Sequence, residues 1–225
     1  LFTITGFKMI NKIISVFTSL SLVSLIIMGS LLYNSYDKSY FSKYQREHRL
    51  DIEAGISQEE LDNVTSDLLD YLKFGKNSLL ENHFNEREIL HMEDVFKLYE
   101  GGRKIMLIIF ILAVLLFILG LRNSPSLFIK NMSISFIITA FVIGIILSVL
   151  MVNFSDAFVK FHHMFFDNDL WLLNPETDLM IRMLPEHFFE ALVIRIITMA
   201  VSLVAIIEII LFGINKEVIN GTTSR

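Results

Sequence analysis

Four apolar blocks, each about as long as a helix that crosses a bilayer, leave this chain few folds to choose from. A hydrocarbon core about 30 Å thick needs roughly 20 helical residues. Inside it every backbone N–H and C=O must be bonded within the segment, which a helix achieves and an isolated strand does not. The spans are expected at 13–33, 103–121, 132–153 and 191–214, the second and third with apolar cores at Ile105–Leu121 and Ile134–Val152. With 53% hydrophobic and only 19% charged residues, the chain is too apolar for an ordinary soluble domain. The expected fold is an all-α membrane protein: four transmembrane helices and a mostly helical extracytoplasmic cap formed by two outer segments.

Orientation follows from the basic residues of the short connections, because lysine and arginine are retained on the cytoplasmic side. Lys8 and Lys12 fall in 1–12, Arg122 and Lys130 in 122–131, and Lys216 and Arg225 in 215–225. Both termini are therefore expected inside, which leaves 34–102 and 154–190 outside. These outer segments are acidic: 8 Lys plus Arg against 15 Asp plus Glu in the first, and 2 against 7 in the second. Such a balance gives no support to nucleic-acid binding. The first span has a basic flank but no small-x-small cleavage site, so it reads as a retained anchor. The stretches before Met9 and after Ile219 read as peripheral. With no cysteine, disulfides, thiol catalysis and cysteine metal ligands are excluded.

All six histidines, His48, His83, His91, His162, His163 and His187, fall in the outer segments. Histidine titrates nearest neutral pH, so a one-sided set marks where protons can be exchanged. In the first outer segment, Ser57 with Glu60 and Asn85 with Glu88 are helix-start patterns. Tyr33 to Tyr44 is an aromatic-rich stretch without a clear period, and Gly101-Gly102 is expected to break or bend the second helix. On that helix, His91 shares a face with Arg87 and Asp94, and Asp94 could hold one ring nitrogen and leave the other as a base. The plainer alternative is a surface histidine among salt bridges.

In the second outer segment, Phe154, Phe158, Phe161 and Phe165 recur every three or four residues, which predicts that the third span continues outward as a helix with an aromatic face. His162 and His163 lie in this stretch, and aromatic walls would strip water from an imidazole and favour its neutral form. An interfacial aromatic belt is the plainer reading. Arg195, inside the fourth span, is expected either to reach the outer site or to snorkel, and Pro185 to occupy the first turn of the last helix.

The combination of His91-Met92-Glu93-Asp94-Val95 with Phe161-His162-His163-Met164-Phe165-Phe166, then Trp171, Asn174-Pro175-Glu176-Thr177-Asp178 and Leu184-Pro185-Glu186, resembles the bacterial lipoprotein intramolecular transacylase family. The resemblance covers nearly the whole chain. It implies a catalytic histidine in each outer segment, which carries over to His91 and His162, with His163 a substitute for the latter. Asp94, Arg87 and Asn168 would support the reaction; Phe158, Phe161, Phe165, Phe166, Trp171 and Arg195 would line the substrate pocket.

It further implies a diacylglyceryl-modified lipoprotein substrate in the bacterial cell membrane, whose sn-2 acyl chain moves to the N-terminal cysteine amine, with membrane lipid as surroundings and no cofactor or metal. Two other readings compete. A metal-dependent membrane hydrolase would use His91, His162, His163 and Asp94 as ligands, and a non-enzymatic membrane sensor or assembly protein would use the histidines to sense pH.

Overall fold

The structure is a computed structural model that describes residues 4–223, with side chains described for Gly6 and from Lys8 to Ile214. The expected basic side chains of Lys216 and Arg225 lie outside what is described. Nine α-helices account for nearly all of the described chain, and no strand occurs among the described residues. They are α1 (Ile4–Ser35), α2 (Lys38–Glu47), α3 (Leu50–Ala54), α4 (Gln58–Phe74), α5 (Glu86–Asn123), α6 (Pro125–Val152), α7 (Phe154–Phe165), α8 (Leu179–Met183) and α9 (Glu186–Thr223). Four helices are long and apolar enough to cross a membrane: Lys8–Ser35, Glu86–Asn123, Pro125–Val152 and Glu186–Ile214.

The chain divides into two compact units, one gathering residues up to 30, 104–149 and from 196 onward, the other 31–103 and 150–195. The first is held by an apolar cluster of Ile14, Val23, Phe128, Ile129, Met132, Phe136 and Leu211. Phe128 fits because residue 120 is glycine: a Cβ there would lie 2.3 Å from the phenyl ring. Where α1 meets α6, serines let the backbones approach, and the Ser19 hydroxyl lies 3.0 Å from the Met132 carbonyl. Ser133 donates to the Glu208 carboxylate, which gives that intramembrane acid a polar partner.

The second unit is built on polar caps and buried bridges. Ser57 accepts the Glu60 N–H and starts α4. Asn85 and Glu88 form a reciprocal capping box: the Asn85 side chain accepts the Glu88 N–H at 3.1 Å and Glu88 accepts the Asn85 N–H at 2.9 Å. The other oxygen of the buried Glu88 carboxylate accepts the Met180 N–H at 2.6 Å, which ties α5 to α8. Buried Gln45 does the same for α2, bonding both Thr65 and the Met183 carbonyl.

Two local expectations change. Gly101 and Gly102 do not break α5, which runs unbroken from Glu86 to Asn123. Neither glycine has a positive φ, and unlike proline a glycine keeps its N–H, so the helical ladder survives at about 1 kcal/mol per residue. The Phe154 stretch does not continue the third span. The chain turns at Asn153, whose side chain accepts the Asp156 N–H at 3.3 Å and starts α7 as a separate helix. The short polar side chain competes for the backbone N–H groups that the preceding helix would have used. The aromatic stretch resolves into the end of α1 and then α2, capped by Asp37. Pro185 falls immediately before Glu186, the first residue of α9, and its carbonyl accepts the Phe188 N–H.

Candidate active site

Two histidines separated by 71 positions in sequence meet in the second unit. His91 comes from α5 and His162 from α7; they are 8% and 7% exposed, with ring centroids 6.2 Å apart. α5 is 38 residues long, about 57 Å at 1.5 Å per residue, nearly twice the hydrocarbon thickness. Its polar first half carries His91, and its uninterrupted apolar run begins near Ile105.

His162 is held from several sides. Its Nδ1 lies 2.7 Å from the Phe158 carbonyl one turn earlier. A carbonyl can only accept, so Nδ1 carries the proton and the neutral ring presents Nε2 as its free basic nitrogen. Phe158 lies 4.4 Å from the imidazole centroid, and Trp171 stacks at 4.7 Å with the planes 26° apart. Phe166, buried, closes on both rings, at 5.5 Å from His91 and 5.7 Å from His162. Burial is the main reason that the pKa of each ring falls below the ordinary histidine value, to about 4 for His91. The neighbouring His162 lowers His91 further, whereas Asp94 pulls the other way. Both rings are therefore neutral bases at physiological pH.

His163 is different, as neighbouring helical residues should be, since they point about 100° apart. It is exposed and meets the edge of Trp171 at 5.1 Å. Phe161 and Phe165 pair with each other at 4.9 Å and are 43% and 49% exposed, so they present an open apolar surface rather than an enclosed pocket.

The supporting residues take roles that spacing alone did not show. Asp94 does not hold His91; its oxygens accept from Lys97 at 3.0 Å and Asn168 at 2.9 Å. The Arg87 guanidinium donates to the carbonyls of Asp169 and Leu172. Arg87 and Asp94 thus pin the 167–173 loop to α5, and this loop carries Trp171 onto His162. Asp178, whose carboxylate accepts the Asn174 N–H, the Thr177 hydroxyl and the Asn85 amide, fastens the following turn. These bonds outweigh its burial and hold its carboxyl below the usual range. Arg195 stands elsewhere: it pairs with Asp37 at 2.7 Å and lies 4.2 Å from the Tyr40 ring centre.

Among the described residues, no three His, Asp or Glu side chains come together as a metal ion would require. The Phe158 carbonyl and the buried tie of Glu88 were invisible to sequence reading. The first is main chain, and the sequence pattern marks Glu88 only as a capping residue.

Four apolar helices and a polar helical unit that buries a pair of neutral histidines define a membrane-integral protein. The family model described as lipoprotein intramolecular transacylase Lit matches residues 13–189, and the chain belongs to that family. It is thus an enzyme that acts on lipoproteins in a membrane, which disfavours the hydrolase and sensor readings. Its fold is similar to that of the membrane-integral lipoprotein intramolecular transacylase Lit from Bacillus cereus, with a TM-score of 0.79 and 22% identity over 96% of this chain and 99% of that one. Two forms of the Bacillus cereus protein with one histidine replaced are similar too. The arginine form has a TM-score of 0.75 at 22% identity over 96% of this chain and 94% of its own. The alanine form has 0.76 at 20% identity over 96% of each. No curated protein matches this chain by sequence.

Proposed function

We propose that the enzyme moves the sn-2 acyl chain of a diacylglyceryl-modified lipoprotein onto the amine of the same molecule's N-terminal cysteine, giving an N-acyl, monoacylglyceryl product. The reaction takes place at the extracytoplasmic face of the bacterial cell membrane, with both termini inside. His91 and His162 are the catalytic pair. The observation that carries this reading is their convergence, from two different outer segments, into one aromatic-walled site where both rings are neutral.

Amine and ester belong to one substrate, and the path through cysteine and glycerol closes a ring of about eight atoms. Holding that ring folded removes most of the entropic barrier. Proton transfer remains. His162, with Nδ1–H fixed on the Phe158 carbonyl, offers Nε2 to the attacking amine and takes its proton as the N–C bond forms. The tetrahedral intermediate collapses with cleavage of the C–O bond, and the glyceryl oxygen receives a proton from the imidazolium just generated, either directly or through His91. The acid is thus made during the reaction, which suits two rings whose resting state is neutral. Phe161 and Phe165 provide an apolar surface for the acyl chains, while Arg87, Asp94 and Asn168 hold the loop that carries Trp171.

The test is mass spectrometry of the N-terminal lipopeptide of a diacylated lipoprotein incubated with the wild type, His91→Ala, His162→Ala and His163→Ala. Transfer to the amine at unchanged total acyl mass is expected for the wild type and His163→Ala, and loss of transfer for the other two. An unmodified lipopeptide with well-folded wild-type protein would overturn the reading.

A further inference from the structure

A second histidine pair lies in the same unit, away from the first. Tyr44, His48, His187, Glu190, Ala191 and Ile194 line an open cleft of about 380 Å³. His48 stacks on Tyr44 at 3.9 Å and 13°, and its Nδ1 lies 3.0 Å from the Tyr44 carbonyl. The Tyr44 hydroxyl donates to the His187 carbonyl at 3.0 Å and lies 2.8 Å from His187 Nδ1. These contacts fix the tautomers. A carbonyl cannot donate, so His48 Nδ1 carries the hydrogen. The tyrosine uses its single proton on the His187 carbonyl, so His187 Nδ1 must donate to the tyrosine oxygen. In their neutral forms both rings then present Nε2 as an acceptor.

The third polar group of the cleft is Glu190, whose carboxylate makes no hydrogen bond or ion pair among the described residues. The next cation along α9, Arg195, is already engaged by Asp37 and the Tyr40 ring. Two acceptor nitrogens and an unpaired carboxylate, with no Lys or Arg among the lining residues, suit a cation that carries several N–H donors. The remaining wall, Ala191 and the half-exposed Ile194, belongs to a helix long and apolar enough to span a membrane. An apolar wall beside a polar rim at the start of a span fits a lipid better than a hydrated peptide.

We propose that this cleft binds the primary ammonium headgroup of an aminophospholipid, with the lipid's apolar part along α9. The site is independent of the acyl-transfer reading. A ladder of rings, His162 to Phe158 at 4.4 Å, Phe158 to Phe189 at 5.5 Å, Phe189 to Phe188 at 5.4 Å and Phe188 to Tyr44 at 5.2 Å, separates it from the first pair.

The experiment is native mass spectrometry of the full chain after exchange into equimolar mixed micelles of phosphatidylethanolamine, phosphatidylcholine and phosphatidylglycerol. The wild type should retain phosphatidylethanolamine over phosphatidylcholine, which has charge but no N–H donor, by roughly three- to fivefold, as one partly exposed charged contact allows. Glu190→Gln and His187→Phe should each erase the preference, whereas His91→Ala should keep it while losing acyl transfer. Equal retention of the two lipids by the wild type would overturn the proposal, as would a preference unchanged in both cleft variants. Displacement of the lipid by equimolar phosphoethanolamine or by a lysine-containing lipopeptide would overturn the lipid assignment, and so would loss of the preference on chelation.

Discussion

The two histidine pairs use the same side chain in opposite surroundings. His91 and His162 are buried among phenyl and indole rings, and the hydrogen bond that fixes His162 comes from its own helix, one turn back. His48 and His187 are exposed and woven into a tyrosine network that joins α2 to α9. Burial determines the difference: the dry pair is pushed below the ordinary histidine pKa and kept as a neutral base, whereas the wet pair is arranged to accept hydrogen bonds. In the two proposals made above, one pair serves chemistry and the other recognition.

The largest effect should come from the dry pair. His162→Ala and His91→Ala should each lower the transfer rate by about 10² to 10⁴, read from lipopeptide mass spectra, whereas His48→Ala should leave it within about twofold. A comparable loss in both pairs would erase the distinction. The next effect concerns stability. Glu88→Ala leaves two backbone N–H groups without their buried acceptor, and each should cost about 1–3 kcal/mol. Thermal melting should fall by several degrees, far more than for Glu190→Ala. Replacing Trp171 should sharpen the role of ring stacking: Trp171→Ala should lower transfer roughly tenfold, a change of about 1.4 kcal/mol, and Trp171→Phe by less.

The pH dependence tests burial itself. The folded pKa of His91, about 4, lies below its ordinary value of 6.5, so the neutral base persists as the pH falls through 6 and 5. Between those two values the unfolded chain binds the proton and the folded one does not, so this ring's contribution to stability is intact above 6.5 and shrinks as the pH falls toward 4. Burial lowers His162, the proposed base, in the same direction, so the acid limb that these rings impose on kcat/KM should lie below 6.5. A limb at the ordinary histidine value would show that the pair is hydrated.

Much of this was legible in the sequence, and for definite reasons. Span length and apolarity are carried by composition alone, so the four helices could be placed without tertiary information. The caps at Ser57 and Asn85 are local hydrogen bonds between residues three apart, and local bonds leave local signatures. The pairing of His91 with His162 rested on resemblance, since nothing in the spacing of either segment points to the other. Asp94 occupies the face of α5 that its spacing predicts, but its partner, Asn168, lies 74 residues away, beyond the reach of local spacing. The aromatic period does not mark the Asn153 turn, because periodicity reports which face is apolar, not where the ladder of N–H bonds restarts. The cleft at Tyr44 was hidden for the same reason as the histidine pair: its walls come from helices 143 residues apart in sequence.

Glu88 reaches Met180, Gln45 reaches Met183 and Arg195 reaches Asp37, spanning 92, 138 and 158 residues. The bonds that complete the polar unit thus wait for its second stretch, which a ribosome makes only after residues 104–149. Contacts this distant are slow to form, and the acidic first segment, with Glu88 still lacking its Met180 partner, must persist unfinished during synthesis. A chain stalled before Met180 would leave the Glu88 carboxylate without its long-range partner, so the same bonds that shape the site also make it the last part of the polar unit to be completed.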